Sequence, residues 1–320
     1  FTIFNHYLIK FFSLKILNLI HLSLLSLCSL FLFLICKTQF KELKNPFLSL
    51  IWFSLFIIIY HENSLFGGVA GQDVINEGYQ PASFGVLFFV AIYLFLINQN
   101  FFSILFICLA ASFHPTYVLH SGFLMLGIFS YYIFKKEYIK TFKISIIYSI
   151  LILPITLYII LNFFFLDKNL ILEGQKILLD RAVHHAVIQS WFSYKDLFSI
   201  LIYFISLIII YKEKKFFIPF FVFGFMSIIF SFIQFFLENN TLALSFPWRT
   251  SVFLVPISTM IILSFFIQNF FDKKKYTKVL SIILIFFSVS IFSAKNHFIE
   301  NSNKNFYKKM ELINKIKENY

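Results

Sequence analysis

The residues best suited to chemistry stand close together in one polar interval of an otherwise apolar chain. Asp180 and His184 are four positions apart, so a helix would place them on one face, where a carboxylate can fix the tautomer of an imidazole. Arg181 and His185 share that spacing on the neighbouring face, and a guanidinium beside imidazoles can hold a phosphate. Trp191 suits a membrane interface or stacking on a sugar ring. The alternative is an amphipathic interfacial helix without a ligand, which explains the adjacent histidines less well.

A second candidate is the glycine-rich interval 61–81. Its glycines permit tight turns and close approach of the backbone to a ligand. Asp73 and Glu77 are four residues apart, and a helical turn would bring their carboxylates together, as a pair that holds a divalent metal or shares a proton. The alternative is a solvated turn with helix-capping acids, which we favour for Glu77. For Asp73 a functional role stays open beside that alternative.

Two further polar side chains stand at the ends of apolar blocks. His114 precedes Pro115 and lies six residues before His120, with no third ligand nearby, so a zinc site is poorly supported. A role of His114 as a site-lining donor or general acid/base competes with a helix-capping turn at the bilayer surface. Arg249 follows Trp248 at the start of a late block. Snorkelling to the membrane surface would explain it. However, lysine serves most other block ends, and an arginine here indicates planar recognition of phosphate or carboxylate.

The elements that must position these residues are strongly apolar. Of 320 residues, 59% are hydrophobic and 13% charged, whereas a soluble domain carries about 25% charged residues. The apolar residues fall in long blocks, and about 20 helical residues cross a bilayer. We therefore predict an all-α, polytopic transmembrane helical bundle of about ten spans, some short or re-entrant. The blocks cover residues 16–36, 47–60, 83–97, 101–113, 117–134, 144–166, 197–211, 216–237, 250–271 and 279–294.

Positive charge falls mainly on one face of the predicted bundle. If the interval 37–46 is cytoplasmic and the blocks alternate, cytoplasmic intervals hold fourteen lysines, and the longer intervals opposite hold five basic residues. This asymmetry predicts a multi-pass protein of the bacterial inner (plasma) membrane, with the candidate residues facing outward. Membrane lipids are the predicted partners, and the net charge of +12 does not indicate nucleic acid. The segment 295–320 disagrees, since it places six lysines outside. Either the last block does not span, or the tail is large enough to escape the rule, or it starts a further extracytoplasmic segment. We separate this tail from a transmembrane domain of residues 1–294.

Several classes of function and site lack support. Cys28, Cys36 and Cys108 lie in or at the end of apolar blocks without metal-ligand spacing, and we interpret them as structural thiols. The chain contains no P-loop, dinucleotide fingerprint or nucleophile elbow, so ATP hydrolysis and soluble redox chemistry are poorly supported. We assign no cofactor and predict no metal site. Because the chain begins with Phe1, we expect an N-terminal portion to be missing.

At these residues the chain resembles the polytopic membrane glycosyltransferases of the GT-C type and related bacterial membrane families. The resemblance is spread over about residues 60–260. It implies a polyprenyl-phosphate-linked sugar donor and an acidic residue in the first large outer loop. The matching features are Gly78-Tyr79-Gln80-Pro81, His114-Pro115, Arg181 with His184-His185 and Trp191, and Phe246-Pro247-Trp248-Arg249.

The leading hypothesis is therefore a transferase on the outer face of the membrane. Asp73 would be the base, and His184 and His185 would assist proton transfer or donor binding. The substrate would be bound by the remaining candidates, His114, Arg181, Trp191 and Arg249. A transporter or flippase of a lipid-linked or anionic substrate is the first alternative, although the blocks offer few polar residues near the bilayer midplane. A non-catalytic membrane component of the cell envelope is the second, and it predicts that the candidate residues diverge in space.

Overall fold

A computed structural model of the protein consists of helices joined by turns, with no strand in the part of the chain that it describes. The described residues are 15–60, 63–75, 80–165, 168–181, 188–237, 242–243, 245–271 and 277–290. The predicted tail 295–320 lies outside these ranges. In lipid, a helix satisfies its backbone polar groups within one segment, which is why long apolar blocks fold this way.

Each predicted apolar block contains a helix. In chain order the described helices are α1 Lys15–Gln39, α2 Pro46–Tyr60, α3 Asn63–Phe66, α4 Val86–Leu96, α5 Asn100–Phe113, α6 Tyr117–Phe134, α7 Tyr138–Ile159, α8 Lys168–Arg181, α9 Ile188–Trp191, α10 Tyr194–Ile210, α11 Lys214–Leu237, α12 Ser251–Phe271 and α13 Thr277–Ser290. Short 3₁₀ turns, Pro81–Gly85 and Pro247–Thr250, lead into α4 and α12.

Five helical segments are long and apolar enough to cross a membrane: Ile16–Gln39, Tyr117–Phe134, Tyr138–Asn162, Lys214–Leu237 and Pro247–Phe271. The other apolar helices are shorter, as expected for blocks that fall below the length of a full span. The predicted helical, multi-pass membrane architecture is thus supported, while the number of about ten spans stays a prediction.

The centre of the bundle is formed by α4 and α12. Phe88 on α4 packs against Phe253 on α12, with ring centroids 4.5 Å apart. Trp52 on α2 is fully buried, and its indole donates a hydrogen bond of 3.0 Å to Ser264 on α12. By contrast, α7 lies at the periphery and exposes large apolar side chains such as Ile139, at 76% exposure. This distribution is the one expected where lipid surrounds the outer helices.

The helices α6 and α11 cross at a glycine. A Cβ added to Gly127 would lie 2.6 Å from the backbone oxygen of Pro219 and 2.8 Å from its Cα. Backbone atoms cannot move aside as a flexible side chain can, so only glycine allows this close approach. Small residues at helix crossings are common in membrane bundles, where packing rather than the hydrophobic effect holds helices together.

Contacts at the two ends of the bundle bring some of the polar intervals together, while the face that each end presents stays a prediction. At one end, which we name the lysine end, the Lys215 ammonium donates hydrogen bonds of 2.6 Å to the Leu96 carbonyl and the Asn98 side chain. Lys278, which lies in an interval predicted to share this face, is 5.4 Å from the ring centroid of Phe47. The opposite end, the loop end, contains residues 63–75, 114–116, 188–193 and 245–250, which contact one another as described below.

The three cysteines are buried and free, as predicted for structural thiols.

Candidate functional site

We name residues 63–75 of the glycine-rich interval 61–81 the first outer loop. Backbone hydrogen bonds fix this loop to the bundle. The Val69 amide donates to the Ser251 hydroxyl over 2.9 Å, at the start of α12. A Cβ on Gly68 would lie 2.6 Å from the same hydroxyl oxygen, so glycine permits this approach. Ala70 and Gly71 both have a φ of 60°, the left-handed region that turns the chain sharply. The loop therefore has a defined path over the loop end.

Asp196, a residue that sequence reasoning did not select, connects this loop to α10. Its Oδ1 accepts a hydrogen bond of 2.8 Å from the Ala70 amide. Its Oδ2 accepts bonds from the backbone N–H and hydroxyl of Ser193, at 2.8 and 2.6 Å. Ser193 and Asp196 form the capping box of α10. The spacing Ser-x-x-Asp before an apolar run is the signal that could have found them.

The turn Pro247–Thr250 is held by buried hydroxyl groups. The Pro247 carbonyl accepts hydrogen bonds from Ser227 over 2.6 Å and from Thr250 over 3.0 Å. Because the Thr250 hydroxyl donates to that carbonyl, its oxygen is left to accept from Nδ1 of His120, 2.9 Å away. His120 is fully buried, and its described role is a structural contact to the turn.

This turn directs Arg249 toward the start of α6. Its Nη1 lies 3.3 Å from Nε2 of His114 and 3.3 Å from Oγ1 of Thr116. The guanidinium carbon is 5.9 Å from the ring centroid of Tyr117 and 5.8 Å from that of Phe246, within reach of weak cation–π contacts. We name His114, Thr116, Tyr117 and Arg249 the arginine cluster.

Arg249 has no acidic partner within the described ranges. The ion pair found there joins Lys140 to Glu137, at the lysine end. Arg249 is half-buried, and its Nε is buried without a hydrogen-bond partner among the described residues. A cation partly removed from water and left without a counter-ion is unfavourable. Its surroundings are therefore suited to an incoming anion.

His114 is neutral at physiological pH. Burial, and secondly the charge of Arg249, lower its pKa to about 4. Since Arg249 donates toward Nε2, the proton is assigned to Nδ1, which donates to the Thr116 hydroxyl over 2.8 Å. The imidazole is thus an acceptor that orients the guanidinium, and not a second positive charge beside it.

Asp73 lies in the first outer loop, two residues after the left-handed turn. It is half-buried, and this burial raises the pKa of its carboxyl from 3.8 to about 6. Such a value is close to that of an efficient proton acceptor near neutral pH. Among hydrogen bonds between described residues, none joins Asp73 to the arginine cluster. The partner suggested for it by spacing, Glu77, lies outside the described residues.

Trp191 contacts the other side of the same turn. Its ring centroid lies 5.4 Å from that of Trp248, the residue before Arg249. Both indoles line a cavity of about 400 Å³ between α10, α11 and the start of α12. Further lining residues include Val69, Ser199, Ser227, Ser231 and Leu254. The apolar cavity and the arginine cluster are therefore neighbours, because Trp248 lines the cavity and the next residue, Arg249, belongs to the cluster.

The predicted site residues have mixed outcomes. The structure brings His114 and Arg249 into contact and places Trp191 against Trp248 beside them, with Asp73 in the loop over the same end. Arg181 is the last residue of α8, and its side chain lies outside the described residues. His184 and His185 also lie outside them, so their roles stay predictions.

Comparison with family models, curated proteins and solved structures finds no match for this chain. The site is therefore interpreted from its own chemistry, and within the described ranges no group of three potential metal ligands is present.

Proposed function

We propose that the protein is a GT-C-like membrane transferase that moves a sugar from a polyprenyl-phosphate carrier at the loop end of the bundle. The observation that carries this proposal is the half-buried guanidinium of Arg249, which has no carboxylate partner among the described residues. A phosphate would supply the missing negative charge and accept paired hydrogen bonds from the planar guanidinium.

The position of Arg249 favours a lipid-linked phosphate over a soluble one. The residue stands where a membrane-length helical segment, Pro247–Phe271, begins. Side chains at this level lie near the boundary between lipid and water. A carrier whose chain stays in the bilayer would present its phosphate at this depth. In this proposal the loop end is extracytoplasmic, the helices form about ten spans, and the membrane is the bacterial inner membrane, consistent with the fourteen lysines of the opposite intervals.

The transfer step would use Asp73 as the general base. The hydroxyl oxygen of the acceptor forms a bond to the anomeric carbon, while the bond from that carbon to the carrier phosphate breaks. The hydroxyl proton passes to the Asp73 carboxylate, which is mostly ionised at neutral pH when its pKa is about 6. The phosphate leaves with its negative charge, which Arg249 would stabilise. Neutral His114 would hold the guanidinium in position through Nε2. Arg181, His184, His185 and Trp191 would assist donor binding.

The test is to replace Arg249 by glutamine and by lysine in protein reconstituted into vesicles. Each charge-assisted hydrogen bond to a phosphate contributes about 1.5–3 kcal/mol. Two lost bonds should therefore weaken binding of undecaprenyl phosphate by about a hundredfold or more. The Arg249→Lys variant should keep only part of the binding, because an ammonium group retains the charge but lacks the planar pair of donors.

Lys195→Gln is the matched control, since it removes an exposed positive charge near the same end. It should bind the phosphate as the wild type does. Wild-type binding and sugar transfer by a folded Arg249→Gln variant would refute the proposal.

A further inference from the structure

The cavity beside the arginine cluster has an unusual polarity. Seventeen residues line it, and none of them carries a charged side chain. Three of the serines that line it already donate hydrogen bonds to backbone carbonyls of the protein. Ser199 donates to the Lys195 carbonyl, Ser227 to the Pro247 carbonyl and Ser231 to the Ser227 carbonyl. The wall that remains is apolar, in spite of its serine content.

Two side chains that line the cavity, Trp191 and Trp248, have a hydrogen-bond donor that is unpaired within the described ranges. The indole nitrogens of Trp191 and Trp248 are buried, and neither has a hydrogen-bond partner among the described residues. Trp248 is only 3% exposed, so water does not readily replace a partner. An indole N–H can only donate. A ligand that complements the cavity therefore needs an acceptor oxygen at the tryptophans and hydrocarbon elsewhere.

The cavity also has an apolar approach from the outside of the bundle. Phe232 and Phe235 on α11 line it, and both are exposed on the bundle surface, at 56% and 39%. Phe192 lines it as well and is 53% exposed. In a membrane these rings face lipid. The atoms that line an apolar cavity lack dispersion contacts on the side that faces it. A hydrocarbon chain that enters from the bilayer would supply those contacts.

We propose that this cavity binds one ester-linked acyl chain of a membrane glycerolipid, whose ester carbonyl accepts hydrogen bonds from the indoles of Trp191 and Trp248. A neutral carbonyl fits a lining that has no cation, whereas a prenyl chain carries no acceptor oxygen before its charged phosphate. The volume of about 400 Å³ lies in the range of sites for small organic ligands, about 300–1,000 Å³. The proposal shares Trp191 with the proposed donor site, but it depends neither on sugar transfer nor on the phosphate assigned to Arg249.

Tryptophan fluorescence can test this, because the chain contains only Trp52, Trp191 and Trp248. A Trp191→Phe variant is reconstituted in phosphatidylcholine vesicles whose acyl chains carry bromine, and separately in unbrominated vesicles. Bromine quenches an indole that it contacts, and Trp248 is too buried for contact with bulk lipid. We expect most of the Trp248 emission to be lost in brominated vesicles. Trp52 is fully buried elsewhere, and its emission is measured in the variant that lacks the other two indoles.

Filling the cavity should abolish the quenching. Ser231 lines the cavity and bonds only within its own helix, so Ser231→Phe occupies the space without removing a contact between helices. Ser145→Phe is the matched control, since this serine also bonds within its own helix but lies on peripheral α7. Quenching should fall several-fold in the first variant and persist in the second.

A lipid comparison keeps the test decisive if Ser231→Phe does not fold. A brominated lipid with ether links lacks the carbonyl and should quench Trp248 less than the ester does at equal mole fraction. Equal quenching by both lipids, or no quenching at all, would overturn the proposal. Relief of quenching by a small mole fraction of undecaprenyl phosphate would also overturn it, and would assign the cavity to a prenyl chain instead.

Discussion

Replacing Asp196 by alanine should detach the first outer loop from α10 and destabilise the protein without touching the arginine cluster. Asp196 is 6% exposed and accepts three hydrogen bonds, two from Ser193 and one from the Ala70 amide. The loop path depends on that last bond, since Ala70 has a left-handed φ of 60° that alanine adopts at a cost.

The magnitude follows from two separate losses. Removing the side chain that caps a helix costs about 0.5–2 kcal/mol. Leaving the buried Ala70 amide without this acceptor costs about 1–3 kcal/mol more. Part of this is offset, because the variant no longer keeps a carboxylate out of water. We therefore expect Asp196→Ala to lower the free energy of unfolding by about 2–4 kcal/mol. Asp196→Asn keeps the shape and one acceptor oxygen, and should lose about half of that amount.

The assay is reversible unfolding in mixed micelles, in which the fraction of denaturing detergent is raised and helicity is followed by circular dichroism. Limited proteolysis within residues 63–75 gives a second readout, because a released loop should be cleaved faster. Asp180→Ala is the control, since this acid is exposed on α8. Its effect should stay within about 0.5 kcal/mol. If Asp196→Ala were as stable and as resistant to cleavage as Asp180→Ala, the reasoning from these hydrogen bonds would be wrong.

The remaining predictions concern packing and pH. In the same unfolding assay, Gly127→Ala should destabilise the protein by about 1–3 kcal/mol, because the added Cβ meets the Pro219 backbone. Gly174→Ala should stabilise the protein by about 0.5–1 kcal/mol, because Gly174 lies inside α8 with open space around it. His114 has a pKa of about 4 in the folded protein against an ordinary 6.5, so its contribution to the free energy of unfolding is lost as the pH falls from 6.5 to about 4. His114→Gln should therefore lose less stability than the wild type over this pH range. Asp73 acts in the opposite sense, because burial raises its pKa from 3.8 to about 6. Its contribution to the free energy of unfolding is lost as the pH rises between those values, so Asp73→Asn should be more stable relative to the wild type above pH 6 than at low pH. Thermal unfolding of both variants across this pH range checks the two signs.

The helices were predictable because their signal is local and long. Blocks of apolar residues leave few alternatives to a helix in a membrane, and each block contains one. The boundaries were less accurate where polar residues extend a helix. The block predicted to begin at residue 144 lies in α7, which begins six residues earlier, at Tyr138. Lys140 and Lys143 can be part of this helix because its end reaches the membrane surface, where lysine side chains extend into water.

The contacts at the loop end could not be predicted from spacing. Arg249 meets Thr116 across 133 positions, Thr250 meets His120 across 130, and Asp196 meets Ala70 across 126. No periodicity within one helix determines which residue of a distant turn will lie opposite. The sequence therefore indicated candidates singly, such as His114, but not that a neutral imidazole would orient Arg249.

The turn Pro247–Thr250 shows why the Phe-Pro-Trp-Arg stretch is not a single binding patch. A 3₁₀ helix has three residues per turn, so consecutive side chains point about 120° apart. Trp248 accordingly lines the apolar cavity, while Arg249 joins the polar cluster and Thr250 bonds to His120 inside the bundle. Substitutions at 248 and 249 should then affect different ligands, a neutral lipid chain and a phosphate. Only a change that unlocks the turn itself, as loss of the Thr250 hydroxyl would, can disturb both at once.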